Sequence, residues 1–330
     1  MILKILNQND IKKSVSMIQA IHAVKKAFIQ LSLGKAVVPL RTKISVKKHK
    51  GETLFMSAYL ADSHSLGAKI VSVFPGNLEK RMSTIHALMI VVDAKTGLPE
   101  AIMDGAFLTA LRTGAASGLA TDFLATKDAR IAAIFGSGVQ GRFQLDAVCA
   151  VRKIEKVYVY DRKPDAAKAY VKEKKKQKQL SHIEFFIAQN PAQAIHEADV
   201  ICAATTSFTP VFNDTDLKPG THINGIGSYT PEMQEIPEQT IMRAKVFVDS
   251  ISACLSEAGD LIVPLKKSHI TKAHIQGEIG QVASGSIPGR EGNKEITFFK
   301  SVGIAVQDVA VANLILQESR KSNLGIDVDL

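Results

Sequence analysis

Residues Gly136-Ser137-Gly138-Val139-Gln140-Gly141 form a GxGxxG loop, and their surroundings restrict what this chain can fold into more than any other feature. The loop follows an apolar run at 130–135 and opens a helix-forming stretch at 139–150. A second apolar run, 156–160, leads into Asp161, twenty residues past Gly141. On its own such a motif is weak; between a strand and a helix it acquires a mechanism. The glycines let the backbone turn tightly and approach a pyrophosphate, helix N-terminal amides hold the phosphate charge, and a carboxylate closing the second strand accepts from the ribose 2′-hydroxyl. The expected cofactor contacts are therefore Gly136, Gly138, Gly141 and Asp161. Asp161 favours NAD(H), because it repels a 2′-phosphate, while Arg162 and Lys163 beside it keep NADP(H) open.

The pattern continues as strand and helix in alternation. Helices are expected at 164–178 and 192–197, with strands at 182–186, 200–204, 221–226 and 245–248. Such alternation means a parallel sheet covered by helices. The loops Ala203–Ser207 and Gly225–Thr230 close the fourth and fifth strands, at the edge where open α/β sheets bind ligands, and their small residues leave room for a nicotinamide.

The first third has another texture. Val15, Ile18, Ile21, Val24, Ala27, Phe28 and Leu31 make a helical stripe stopped by Gly34, and short apolar runs at 37–46, 52–60, 67–74 and 86–92 read as antiparallel strands. The small-residue segment 109–125 suits a closely packed helix. A last helix is expected at 301–317, followed by a polar tail, 318–330.

Composition agrees with two cored domains. The chain has 330 residues, 46% of them hydrophobic, with only 22 Gly and 11 Pro, which excludes a disordered or low-complexity chain. Cys149, Cys202 and Cys254 stand singly in apolar stretches, so neither a disulfide framework nor a zinc knuckle is expected, and a reducing, cytoplasmic setting fits. No apolar run approaches the ~18 residues of a membrane span, and no membrane partner is expected. Of the +9 net charge, much lies in the run at 172–178, KEKKKQK. It lacks the interleaved aromatics of a single-strand nucleic-acid surface and reads as a solvated helix face.

Three cations sit among apolar neighbours: Arg41 in VVPLRTKI, Lys69 in LGAKIVSVFPG and Arg112 in FLTALRTGAASG. A buried cation needs a protein carboxylate or an anionic ligand. Three of them beside a nicotinamide domain point to a substrate carboxylate. No HExxH, GxSxG or GxxxxGK[ST] occurs, and no metal site is expected; His86 and Asp249 read as a strand residue and a strand end.

Taken in order, PLRTK at Arg41, LGAKIVSVFPGN at Lys69, MSTIHALMIVVDAKTG at Thr84, ALRTGAASGLAT at Arg112, GSGVQGR, VYDR at Asp161, NGIGSYTPEMQE and KSVGIAVQD resemble the ornithine cyclodeaminase and mu-crystallin family over essentially the whole chain. The resemblance implies an α/β fold. A Rossmann domain with a doubly wound parallel sheet at 113–306 joins a discontinuous α+β substrate and dimerisation domain, 1–112, completed by 307–330. It places Arg41, Lys69 and Arg112 around a substrate carboxylate, with Lys69 also moving a proton. It puts Thr84, Val139, Gln140, Asp161, Thr205, Gly225, Ile226, Gly227, Ser228, Lys300, Ser301 and Val302 at the cofactor, with Arg112 reaching it too, and implies a homodimer.

Ornithine cyclodeaminases carry an acidic residue in the loop after the fifth Rossmann strand; here the loop is Gly227-Ser228-Tyr229-Thr230-Pro231, with a neutral Ser228. That form resembles members that reduce cyclic imino acids such as 1-pyrroline-2-carboxylate, with Ser228 as a hydrogen-bond partner for the reacting nitrogen. Cyclodeamination of ornithine, an open-chain amino-acid dehydrogenase and a non-catalytic mu-crystallin-like binding protein are the alternatives. Arg41, Lys69 and Arg112 together argue against the last.

Overall fold

Eight parallel strands lie side by side in the second of two units into which the chain divides, Thr113–Gly303; the first comprises Met1–Arg112 and Ile304–Leu330. The computed structural model describes all 330 residues. The eight strands run in the order Glu184–Ile187, Lys156–Tyr160, Ile131–Phe135, Val200–Ala203, His222–Gly225, Thr297–Lys300, Lys245–Val248, Ile275–Glu278. Strand Ile131–Phe135 has its sequence successor on one side and Val200–Ala203 on the other. Connections therefore leave it in opposite directions, and the crevice so formed lies just beyond Phe135, where the glycine loop begins. Alternate residues of that strand enter different cores: Ala133 and Phe135 pack with Ile201, Ile223 and Phe298, while Ala132 and Ile134 pack with Val157, Val200 and Tyr170. Both faces are buried, as a doubly wound sheet requires.

The lysine run departs from expectation. Its helix ends sooner, at Pro164–Lys174. Lys174 is also not solvated: it is 1% exposed, and its ammonium donates to Asp146 at 2.6 Å. The run therefore includes a buried ammonium paired with a partly exposed carboxylate, as well as a wet face. Strands Ile275–Glu278 and Thr297–Lys300 were not foreseen.

In the first unit the expected antiparallel strands form, as Thr42–Val46, Gly51–Leu60, Ser65–Val73 and Ile85–Asp93. The sheet extends through Pro99–Asp104 to Ile2–Leu6, which pairs with it in parallel, and on to Ile326–Asp329. The segment 318–330 is thus no polar tail. Its first residues continue the helix Ala305–Lys321, and its end pairs with Ile2–Leu6, Ile2 opposite Asp329. The helix begins at Ala305 and not at 301, because Gly303 turns the chain at φ 80°. Helices Met17–Ser32 and Ala305–Lys321 pack together, the latter against strands Gly51–Leu60 and Ser65–Val73. A capping box joins Ser16 and Gln19 at the start of the former.

That sheet has two unlike faces. Met56, Lys69 and Met89 are register partners on the buried face. One residue along, Phe55, Ile70 and Leu88 line up on the other, where Phe55 and Leu88 are each 40% exposed and Ile44 on the neighbouring strand is 51% exposed.

Candidate active site

Lys69 stands mid-strand with its stem between Met56 and Met89 and is 1% exposed. Its ammonium donates to Asp308 Oδ1 at 2.8 Å, and Arg112 Nε donates to the same oxygen at 2.9 Å. Arg112 Nη1 donates to Gln307 Oε1 at 2.5 Å. Asp308 lies in the first turn of Ala305–Lys321, where the helix dipole favours a negative charge. Two of the three expected cations thus converge on a carboxylate that they share. Burial pulls the Lys69 ammonium down from its usual range to about 8; Asp308 opposes that shift, and the charges of Arg112 and Arg41 reinforce it. Arg41, just before strand Thr42–Val46, is therefore within electrostatic reach of the cluster. An amine so poised can give or take a proton near neutral pH.

In the second unit the glycine loop has the geometry a dinucleotide requires. Gly136 is at φ 90°, where a Cβ would lie 2.5 Å from Ala204 O, and a Cβ on Gly141 would lie 2.0 Å from Gly136 O. Gly138 caps the 13-residue helix Val139–Val151 and has open space around it. Gln140 Oε1 is buried without a hydrogen-bond partner at this helix start. Asp161 Oδ2 accepts from the Ser137 amide at 2.9 Å and from its hydroxyl at 2.6 Å, and Oδ1 accepts from the Lys163 amide. Partial burial pushes the Asp161 carboxyl up, but these bonds and the Lys163 charge hold it below the usual range. The loop, the free helix start and an ionised carboxylate at the second strand's end fit a dinucleotide.

Behind the next loops lies a network that sequence inspection missed. Glu235 is fully buried; Oε1 accepts from the Thr205 amide at 2.6 Å and hydroxyl at 2.7 Å, and Oε2 from the amides of Gly227 at 2.6 Å and Ser228 at 3.2 Å. Asp260 accepts from the amides of Glu235 and Ile236 and from Lys300 Nζ at 3.1 Å. Asp249 accepts from Ser301 Oγ at 2.7 Å and from the Val302 and Gly303 amides at 3.0 and 2.8 Å. These carboxylates hold the loops that end strands Val200–Ala203, His222–Gly225 and Thr297–Lys300. Burial raises the Glu235 carboxyl to about 7; the Lys300 charge and the Thr205 hydrogen bonds oppose this, and Asp260 adds to it.

Ser228 departs from expectation. It is fully buried, its hydroxyl donates to Met233 O at 2.7 Å, and it accepts from the Asp260 amide at 3.2 Å. Its one proton is engaged inside its own loop, where it serves loop shape, and is not offered to a ligand. Lys300 likewise turns its side chain into the protein, toward Asp260. Thr205 keeps its hydroxyl on Glu235. Thr84 precedes strand Ile85–Asp93, and its carbonyl accepts from the Phe74 amide at 2.8 Å. Val139 is 63% exposed at the start of its helix.

Asp308 and Asp260 carry the signal that identified the cations, a charge amid apolar residues: IAVQDVAV and AGDLIVP. Applied to acidic residues, the same test would have found them.

A profile of the ornithine cyclodeaminase/mu-crystallin family matches residues 3–323. A Bacillus cereus protein named delta(1)-pyrroline-2-carboxylate reductase is 37% identical, over 97% of this chain and 98% of its own length. The structure of Thermococcus litoralis delta(1)-pyrroline-2-carboxylate reductase in complex with NADH and L-proline superposes with a TM-score of 0.94 at 43% identity, over 99% of this chain and all of that one. An archaeal alanine dehydrogenase dimer with bound NAD gives 0.92 at 35% identity, with both chains fully covered.

Proposed function

The chain belongs to the ornithine cyclodeaminase/mu-crystallin family, and within it we propose that it is an NADH-dependent reductase that converts a cyclic imino acid of the 1-pyrroline-2-carboxylate type to L-proline. The observation that carries this reading is the cluster of Lys69 and Arg112 on Asp308, with Arg41 in electrostatic reach. Lys69, Arg112 and Asp308 sum to +1, which suits a small carboxylate, and burial brings Lys69 to about 8, near its ionisation point at neutral pH. The relatives named above act on, or hold, ligands of that chemistry.

When bound, NADH supplies a hydride. The chain's part is to hold the substrate and manage one proton. Arg112 and Arg41 bind the carboxylate, which fixes the orientation of the adjacent C2. Lys69 in its ammonium form gives its proton to the ring nitrogen, making C2 electrophilic. The glycine loop with Asp161 holds the cofactor, and the loops tied by Glu235, Asp260 and Asp249 shape its nicotinamide end. Met1–Arg112 with the last helix and strand is accordingly the substrate unit, and Thr113–Gly303 the cofactor unit.

The open apolar face carrying Ile44, Phe55 and Leu88 supports a homodimer, since a sheet covered on one face only exposes an apolar patch that a second copy can bury. The free thiols Cys149, Cys202 and Cys254 fit a reducing cytoplasm.

The test is a cofactor-oxidation panel with NADH and NADPH against 1-pyrroline-2-carboxylate, its six-membered homologue, and pyruvate with ammonia, beside an ammonia assay on ornithine. Turnover of the cyclic imines with NADH supports the proposal. Ammonia release from ornithine, or turnover restricted to pyruvate, replaces it with a cyclodeaminase or an open-chain dehydrogenase.

A further inference from the structure

Asp308 offers more than a counter-ion. A carboxylate has about four acceptor positions, and in this one they are used unevenly: Oδ1 takes both Lys69 and Arg112, while Oδ2 is buried without a partner. The neighbouring Gln307 repeats the asymmetry, with Oε1 engaged by Arg112 and Nε2 buried without a partner. Buried polar atoms in folded proteins are nearly always paired, so two unpaired atoms on adjacent residues of one charged cluster mark a place built for something else. They present one acceptor and one donor beside an arginine. A protonated α-imino acid or an α-amino acid carries the complement: an N–H and, one carbon away, a carboxylate.

Building on the reductase reading, we propose that Asp308 is a catalytic residue whose Oδ2 accepts the N–H of the substrate's ring nitrogen while Oδ1 holds the proton donor Lys69. The carboxylate then lies between donor and acceptor of the one proton that moves. An Nζ–H bond of Lys69 breaks as the ring N–H forms, leaving Lys69 a neutral amine and the substrate an iminium cation. That cation's single N–H is shared between the Lys69 amine that gave the proton and the anionic Oδ2, which accepts it and stabilises the charge. As hydride from NADH adds to C2, the electron pair of the C=N bond moves to nitrogen, giving the secondary amine of the product and NAD+. Gln307 Nε2 donates to the substrate carboxylate beside Arg112. The charged groups around this carboxylate are Lys69 from its strand, Arg112 from helix Gly105–Leu124 and Arg41 from the segment before Thr42–Val46. This assignment gives Asp308 the role at the ring nitrogen that the buried Ser228 hydroxyl cannot take.

The experiment compares binding of L-proline and of tetrahydrofuran-2-carboxylate, in which a ring oxygen replaces the N–H, by calorimetry in the presence of NAD+. Wild type is expected to prefer proline by about 10-fold or more, the effect of a hydrogen bond to a charged group. Asp308→Asn should remove that preference by losing proline affinity alone, and Asp308→Glu, which keeps the carboxylate, should restore part of it. Equal weakening of both ligands, or an unchanged ratio, overturns the proposal in favour of a purely structural Asp308. If Asp308→Asn fails to fold, the ratio in Asp308→Glu decides: a value at the wild-type level together with unchanged turnover overturns the proposal, and a value between 1 and the wild-type level supports it. A wild-type protein that binds neither ligand and reduces no cyclic imine overturns the reductase reading itself.

Discussion

Glu235 and Thr205 are joined twice, the same carboxylate oxygen accepting from the Thr205 amide at 2.6 Å and from its hydroxyl at 2.7 Å. The other oxygen takes the Gly227 amide at 2.6 Å, so one buried side chain ties two loops at the cofactor edge of the sheet. Its carboxyl is raised to about 7, chiefly by burial. Protonation places a hydrogen on an oxygen already facing donors and loosens the tie. NADH affinity should therefore be highest above pH 7 and fall as pH drops through that value, by about 10-fold if one charge-assisted bond is lost. In Glu235→Gln the affinity should be lower throughout and its pH dependence flat; fluorescence titration of NADH without substrate reads both.

The glycines of the loop should separate by mechanism. A Cβ on Gly141 would meet the Gly136 carbonyl at 2.0 Å, whereas one on Gly138 meets nothing within 4 Å. Gly141→Ala is expected to destabilise the cofactor-free protein by about 1–3 kcal/mol. Gly138→Ala should leave the melting temperature unchanged yet weaken NADH, because there the obstacle is the close approach of a pyrophosphate. Melting curves with and without NADH distinguish the two.

On the proposed reading Asp161 sets the coenzyme. Its carboxylate is ionised and held by Ser137 and the Lys163 amide, with Arg162 next in sequence. Asp161→Ser should raise KM for NADH about 10-fold and lower KM for NADPH, by removing one 2′-hydroxyl acceptor and one repulsive charge. An unchanged ratio of the two kcat/KM values would place the ribose elsewhere.

On the proposed mechanism Lys69 gives the pH–rate profile its sign. As proton donor it must be the ammonium, which burial has brought down to about 8. Reduction should accordingly be fast below pH 8 and decline as pH rises through it. Asp308 opposes the shift, so in Asp308→Asn the decline moves to lower pH. Lys69→Met should abolish most turnover while leaving NADH binding intact, and stopped-flow and equilibrium titration measure the two separately.

The bare sheet face makes a prediction about assembly. Phe55 and Leu88, aligned through Ile70, are both half-exposed. Charging them together, Phe55→Glu with Leu88→Glu, should convert a dimer to monomers by light scattering. A double variant that remains dimeric would place the interface on another surface.

How much of this was legible in the sequence follows from how far apart the interacting residues lie. The glycine loop, its helix and Asp161 fall within twenty-six residues, and local pattern sufficed for the parallel α/β fold. Lys69 and Arg112 were conspicuous because each interrupts an apolar run. Their partner Asp308 lies 239 and 196 positions away, a distance no periodicity spans. Ser228 was misread for the complementary reason. Its loop suggested an available hydroxyl, and only the fold shows that the Met233 carbonyl, five residues on, accepts its hydrogen bond. The strand Ile326–Asp329 was hidden because two of its four residues are Asp, tolerable at an edge where one side of the strand meets water.

Hydride delivery to C2 of the cyclic imine is the step that defines the proposed reaction. Incubation of the enzyme with 1-pyrroline-2-carboxylate and NADH deuterated at nicotinamide C4, followed by mass spectrometry and NMR of the product, should give L-proline carrying one deuterium at C2. Proline without deuterium when either face of the ring is labelled, or no proline at all, would contradict it.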